Sequence, residues 1–436
     1  MKRFLAIAVI WLGCAAAWLI LGGTLKVRTD SMSGNLNNEV NALWGPPGRQ
    51  APPLAQYQRI DTSEEVTIEQ RPEGNLRKVV QHETKVEVPL TLDASDVHAT
   101  LSLQQQRKGL MWFPTYGVDF HAQYVFLNDQ LGAHDVSVHF PLGMSGGGEA
   151  SERSAFTNSA SFDGFAVLDG QGQAVDYQIS GSEAVFKRHF APGERQTFRI
   201  AYRTRGTESF RYLMSEGTGR VHHLTVNIDT NFPNVDFPVD TLSPTSRSVT
   251  AHRFRGQWQF DSLISSSAIG IELPQLLNPG PLATKVTLFA PVSLLFFFFV
   301  VAVLSQARGH ELHPMHYFLL GCAFFAFHLL FAYLVDRFAI GTSFAVASVV
   351  SLFLVVSYAR LFVGWKFALR EMGLSQLLYL VLFSYTFFWE GFTGLAITMG
   401  AICTLFFVMQ VTGRTNWRAA TRELPPPQRE QLGAST

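Results

Sequence analysis

A block of long apolar runs near the C-terminus constrains this chain more than any other feature. Val286–Leu304, with Phe296–Phe299 in a row, is followed by His316–Val335, Ala339–Tyr358, Leu374–Trp389 and Thr393–Thr412, each separated by a short polar stretch. A helix rises about 1.5 Å per residue, so about 20 apolar residues cross a bilayer core of about 30 Å. Four of the runs have that length, and Leu374–Trp389 is short. The expectation is a C-terminal bundle of five transmembrane helices over residues 286–412. Ser343, Ala347 and Ser351 repeat every four residues, a spacing of small side chains that lets helices approach closely in lipid.

A further apolar run, Phe4–Gly23, follows Lys2 and Arg3. Ala15-Ala16-Ala17 offers a signal-peptide cleavage pattern and Cys14 a lipoprotein one. The run nevertheless stays apolar through Trp18-Leu19-Ile20-Leu21, which fits an uncleaved anchor over residues 1–23. Lys/Arg placement then sets the orientation. Lys2 and Arg3, Arg308, the loop Ala359–Gly373 with Arg360, Lys366 and Arg370, and the tail with Arg414, Arg418, Arg422 and Arg429 all fall on one side. That side is expected to be cytoplasmic, with residues 413–436 as a cytoplasmic tail. Lys26, Arg28 and Lys285 stand against the scheme on the opposite flank.

Residues 24–285 lie on the exoplasmic side in this scheme, and their pattern changes from long runs to alternation. Val118, Phe120, Ala122, Tyr124 and Phe126 alternate with Asp119, His121 and Gln123. Val86 to Leu92, Val136 to Phe140, Phe198 to Tyr202, Leu224 to Ile228 and Phe254 to Phe260 repeat the pattern. Period two marks half-buried strands, and many short ones between Gly, Ser, Asp and Pro turns point to one or two antiparallel β-sandwiches. Gly45-Pro46-Pro47 and Pro52-Pro53 punctuate the stretch before the first strand. The fold class is therefore an α+β membrane protein. Formal net charge is zero, which gives no reason to expect a nucleic-acid partner. Cys14, Cys322 and Cys403 all sit in apolar runs, so no disulfide supports the β-rich region and no Cys/His zinc pattern exists.

Several residues invite a chemical reading. Gly143-Met144-Ser145-Gly146-Gly147 matches GxSxG, but the Gly148–Ser154 stretch after it is a poor helix, and the nucleophile elbow needs one. A Gly-rich loop fits better. His310, His313 and His316 are three apart, a spacing metal proteins use, yet Pro314 interrupts them and they fit equally as polar groups at a membrane mouth, with Pro314 in a helix's first turn. His328 inside a span is a functional candidate by default; a neutral imidazole bonded to a neighbouring helix is the plainer reading. Trp112, Tyr116, Tyr124 and Trp258 offer a sugar-binding face or, more simply, core.

The membrane block resembles the CreD family of inner-membrane proteins. The resemblance rests on Leu312-His313-Pro314-Met315-His316-Tyr317, then Phe327, Leu329-Leu330, Asp336 and Ala347-Ser348 to Tyr358. Gly364-Trp365-Lys366, Glu390, Leu395, Gly400, Thr412, Arg414 and Trp417 extend it. In the exoplasmic part, Leu43-Trp44-Gly45-Pro46-Pro47, Arg107-Lys108-Gly109-Leu110 through Tyr124, Arg205-Gly206 to Tyr212, and Asn231-Phe232-Pro233 with Phe237-Pro238 are similar to family motifs. The chain departs from the family pattern at Val335-Asp336-Arg337, where Ser-Glu-His is usual, and residues 141–195 do not align. The resemblance implies a multi-span envelope-integrity protein of Gram-negative bacteria, linked to a two-component regulon, and implies no reaction and no cofactor.

The expectation is thus a non-enzymatic protein of the bacterial inner membrane, with a periplasmic β-domain that contacts an envelope protein or glycan. A transporter or channel built from the bundle is the alternative, and a Ser145 hydrolase a third. The candidate functional contacts are Asp336 and Glu390 at the outer mouth, and His313 and Pro314 at the inner one. Membrane lipid is the one partner implied directly.

Overall fold

The computed structural model describes residues 2–71, 74–109, 111–142, 161–214, 221–389 and 391–413. The chain divides into two compact units. One holds the residues up to Met32 and from Leu277 onward, and the other holds Ser33–Leu276. Helix α1, Lys2–Trp44, therefore contributes its first part to one unit and its last turns to the other.

In the helical unit, α1 is joined by α2 (Pro279–Ala307), α3 (Pro314–Leu334), α4 (Ile340–Val363) and a last helix, Thr393–Thr412. Among the described residues these five helices are long and apolar enough to cross a membrane. The short run at Leu374–Trp389 differs from expectation. It is the later part of a helical segment that starts at Trp365, alternating α and π turns to Tyr385 and closing in a short 3-10 turn at Thr386–Phe388. The expected loop Ala359–Gly373 is helical apart from Gly364, because Lys366, Arg370 and Glu371 interrupt the apolar run without breaking the backbone. Gly364 separates the two helices at φ 79° and ψ 164°, a conformation open in practice only to glycine. π turns widen a helix and loosen its carbonyls; here the Ser293 hydroxyl of α2 donates to the carbonyl of Tyr379.

The apolar cluster of this unit is built mainly from α1 to α4 and the segment after Gly364, with Ile397 of the last helix packed against it. Trp18 of α1 is fully buried and meets Phe324, Phe325 and His328 of α3 edge-on. The Trp11 indole donates to the Pro291 carbonyl at 2.9 Å. A Cβ on Gly321 would stand 3.1 Å from the Cys14 sulfur, so the bare glycine sets how closely α1 and α3 approach. Ser343, Ala347 and Ser351 are buried as their spacing implies, and Ser351 Oγ donates to the Ala323 carbonyl of α3 at 2.9 Å.

The second unit is β-rich. Its strands are β1 Gly48–Gln50, β2 Leu54–Arg71, β3 Gly74–Pro89, β4 Thr91–Lys108, β5 Met111–Leu127 and β6 His134–Pro141. Then come β7 Asp163–Asp169, β8 Gln178–Ser180, β9 Glu183–Phe190, β10 Arg195–Thr207 and β11 Ser209–Tyr212. The last are β12 Val221–Thr230, β13 Thr241–Leu242, β14 Ser246–Thr250, β15 Arg253–Leu263 and β16 Ala268–Glu272. Three sheets result, in the orders β14-β15-β12-β4-β5-β10-β7, β3-β2-β6-β9-β8 and β1-β11-β16-β13. One cluster of buried residues, including Val118, Phe120, Tyr124, Val138, Phe198, Ile228 and Ile271, draws on all three.

The alternating segments bury the faces their patterns specify: Val118, Phe120, Ala122, Tyr124 and Phe126 are all inside. The expectation of purely antiparallel pairing is corrected. β12 runs parallel to β4, from Leu224 opposite Ser95 to Thr230 opposite Leu101, and β1–β11 and β13–β16 are also parallel. Alternation reports that a strand is half-buried; it carries no information about the direction of a neighbour more than a hundred residues away. The Val86–Leu92 stretch is likewise split, between β3 and β4, with Leu90 as the buried hinge and a register shift between Leu92 and Ala94.

Candidate functional site

Three stretches distant in sequence meet around Tyr116 in the β-rich unit. Alternation places Tyr116 on the inward face of β5, where it is 1% exposed. Its hydroxyl accepts from the Gly48 amide at 2.9 Å and donates to the Ser209 carbonyl at 2.6 Å. Gly48 opens β1 directly after the Gly45-Pro46-Pro47 turn, and Gly45 sits at φ 100°. Arg205 holds its guanidinium 5.3 Å from the centre of the Trp44 ring. Thr207 Oγ1 donates to Asn41 Oδ1 at 2.7 Å. A Cβ at Gly206 would lie 2.5 Å from the Tyr116 hydroxyl and 3.2 Å from the Pro46 carbonyl, so this close approach requires glycine. The last turns of α1 are held here as well, by Val40 against Met111 and Phe113 and by Glu39 with Lys108.

The polar set extends inward. Tyr202 donates to Gln50 Oε1 at 2.5 Å, Gln50 Nε2 donates to the Ala51 carbonyl at 2.7 Å, and the Tyr212 and Tyr124 hydroxyls are 3.4 Å apart. Burial pushes all four phenols above their ordinary pKa range, so they act as neutral hydrogen-bonding groups. The void that Tyr116, Tyr202 and Gln50 line measures about 20 Å³, room for a water and no larger ligand. Tyr116, Tyr124 and Trp258 are thus core, and Trp112 is half-buried with Arg107 at 6.0 Å from its ring. These residues form an internal lock rather than a sugar platform.

In the helical unit, Asp336 follows the C-cap of α3 and forms an ion pair with Arg28 of α1. Their side chains are 30% and 38% exposed. Arg28 stood against the charge scheme in the sequence, and its counter-charge is Asp336. Arg337 is exposed. Glu390 lies outside the described residues, as do Ser145 and the whole GxSxG stretch.

At the other end of α3, Pro314 is the first helical residue, and His313 is the N-cap, its Nδ1 accepting from the Met315 amide at 3.2 Å. His316 stacks on Phe362 at 4.1 Å and shares a hydrogen bond of 2.8 Å with the Tyr358 hydroxyl, while His310 meets the edge of Phe367. The three histidines thus serve three different neighbours. No group of three or more metal-capable side chains gathers among the described residues. His313→Ala removes one cap and is expected to destabilise by about 1 kcal/mol, with His313→Asn retaining most of it; thermal unfolding of the detergent-solubilised protein checks this.

His328 is buried, but its Nδ1 lies 3.2 Å from the Phe324 carbonyl of its own helix rather than bonding a neighbouring one. A buried polar side chain that sequence reasoning missed is Gln376, whose Nε2 donates to Ser351 Oγ at 2.8 Å while its Oε1 has no hydrogen-bond partner among the described residues. The signal was present: a single amide inside the apolar run Leu374–Trp389.

Comparison with solved structures finds distant similarity. A Legionella pneumophila protein proposed to bind nutrients is 13% identical, over 50% of this chain and 76% of its own, with a TM-score of 0.29. An M1 zinc metallopeptidase from Deinococcus radiodurans is 10% identical, over 67% of this chain and 94% of its own, with a TM-score of 0.21. No curated protein matches. The model of the family described as inner membrane protein CreD matches residues 157–418. That match begins inside the 141–195 stretch, which carries no recognisable family motif, includes Arg205, Gly206, His313, Pro314 and Asp336, and leaves out Trp44 and Tyr116. It spans more than half of the sequence, and the chain belongs to the CreD family of inner membrane proteins.

Proposed function

We propose that this protein is a multi-pass protein of the bacterial inner membrane that supports cell-envelope integrity by binding rather than catalysis. In this reading the β-rich unit is a sandwich-like periplasmic domain, the tail is cytoplasmic, and an envelope protein or glycan is the partner. The segment Trp365–Phe388 crosses as the fourth of the five spans of the bundle. The observation that carries the reading is the Arg28–Asp336 pair. It ties α3 to α1, the helix whose last turns belong to the β-rich unit, and so offers a route by which partner binding reaches the spans.

The test is crosslinking in intact cells from probes on the β-rich unit, together with the double change Asp336→Asn and Glu390→Gln. That variant is expected to insert normally and lose envelope protection; full protection at normal abundance overturns the coupling. The orientation has its own check. A reporter active only outside the cytoplasm is expected to work after Gly170 and to be silent after Arg308 or Arg370. Ser145→Ala is expected to leave every phenotype unchanged, and labelling of Ser145 by a fluorophosphonate would instead favour a hydrolase. A transporter is the second reading, favoured by the buried Gln376–Ser351 pair beside a π-turned helix.

A further inference from the structure

A groove of about 640 Å³ runs along the outside of the helical unit between α4 and the segment Trp365–Phe388. That volume lies within the roughly 300–1,000 Å³ usual for ligand clefts. Its walls are Phe353 and Val356 on one side and Leu374 and Leu377 on the other. Gly373 keeps the floor low, since a Cβ there would stand 3.2 Å from Val356. One end differs. Arg360 and Arg370 both line it, with Trp365 beside them.

The backbone explains why the two arginines coincide. Gly364 turns the chain back on itself, so Arg360 lies about 6 Å before the turn and Arg370 about 9 Å after it, at 1.5 Å per helical residue. They share one level of an antiparallel helix pair. Both are exposed, and neither has a hydrogen-bond or ion-pair partner among the described residues. The carboxylate next in sequence, Glu371, is engaged by Arg308 at 3.0 Å and does not neutralise them. The groove is therefore apolar along its length and doubly cationic at one mouth.

We propose that this groove holds one acyl chain of an anionic phospholipid, with the lipid phosphate on Arg360 and Arg370. Guanidinium groups match phosphate oxygens with paired N–H donors, and the apolar walls accept the chain that any lipid of a bilayer carries. A zwitterionic lipid fills the walls and presents a phosphate too, but brings its own headgroup cation against the two arginines, so a net anionic headgroup is favoured. Trp365, 58% exposed at the same level, is placed as an interfacial anchor beside the headgroup. The proposal does not depend on which face of the membrane carries the basic end, nor on the partner of the β-rich unit.

The full-length protein, delipidated in detergent, is titrated with phosphatidylglycerol, with phosphatidylcholine and with inorganic phosphate, and lipid binding is read by native mass spectrometry and thermal shift. Phosphatidylglycerol is expected to bind and raise the melting temperature, phosphatidylcholine to bind more weakly with a smaller shift, and phosphate at the same concentration to do neither. Arg360→Gln with Arg370→Gln is expected to weaken phosphatidylglycerol binding about tenfold or more. Leu374→Trp, which fills the groove from an exposed position and leaves both charges, is expected to weaken it as well. Arg337→Gln, away from the groove, is expected to change nothing. Equal binding of the two lipids, an equal shift with phosphate alone, or unchanged binding in the double arginine variant at normal folded yield would each overturn the assignment.

Discussion

Replacing Tyr116 with phenylalanine is expected to lower the stability of the β-rich unit by roughly 2–4 kcal/mol. The ring keeps its packing, but the Gly48 amide and the Ser209 carbonyl lose their shared partner inside the core. Each buried group left without a partner costs about 1–3 kcal/mol. For a unit of this size that corresponds to a fall in melting temperature of roughly 5–15 °C, measurable by calorimetry on the detergent-solubilised protein. Gly206→Ala acts at the same place from the opposite side, pressing a methyl group onto the Tyr116 hydroxyl and the Pro46 carbonyl. Its effect is expected to be at least as large, because the Pro46 carbonyl is backbone and has little room to move. A Tyr116→Phe protein melting within a degree of the parent would mean the lock contributes nothing.

The same phenols predict an alkaline limit. Their folded pKa values lie above the ordinary 10.0 because burial disfavours the phenolate. The folded state thus binds more protons than the unfolded state above that value. The stability they contribute is complete below pH 10 and declines as pH rises beyond it.

Reversing the charge of Asp336 is the second large expected effect. Asp336→Arg sets two cations against each other where α1 and α3 are now joined, and like charges so placed cost several kcal/mol. Simple removal by Asp336→Asn is milder, since a partly exposed pair contributes only about 0–1 kcal/mol in water. Asp336→Arg is therefore expected to fall to a small fraction of parental abundance in membranes, with Asp336→Asn near normal. Adding Arg28→Asp to Asp336→Arg restores the attraction and is expected to recover most of the abundance by immunoblot. If the exchanged pair stays as depleted as the single reversal, the contact between these two side chains is not what the position requires.

The membrane spans were legible because a span is a local property: enough consecutive apolar residues of the right length. The inward faces of β5, β6 and β10 were legible for the same reason, since alternation within one strand fixes which side chains face the core. Pro314 likewise announced the start of α3, because its ring removes an amide that the first turn does not need. Where Lys366, Arg370 and Glu371 interrupted the apolar run, the local signal misled, and a helix from Trp365 was read as loop.

The contacts that matter most were not local. Tyr116 bonds partners 68 and 93 residues away, and Arg28 meets a carboxylate 308 residues away. The sequence displays these groups as motifs or as exceptions, yet which hydroxyl answers which amide depends on strand order and helix packing. β4 beside β12 is a choice of topology, made by burying one shared core rather than by either strand's own pattern. The same holds for Arg360 and Arg370. Their charges were plain in the sequence as a topology signal, and only the turn at Gly364 and the packing of two helices set them together over an apolar groove.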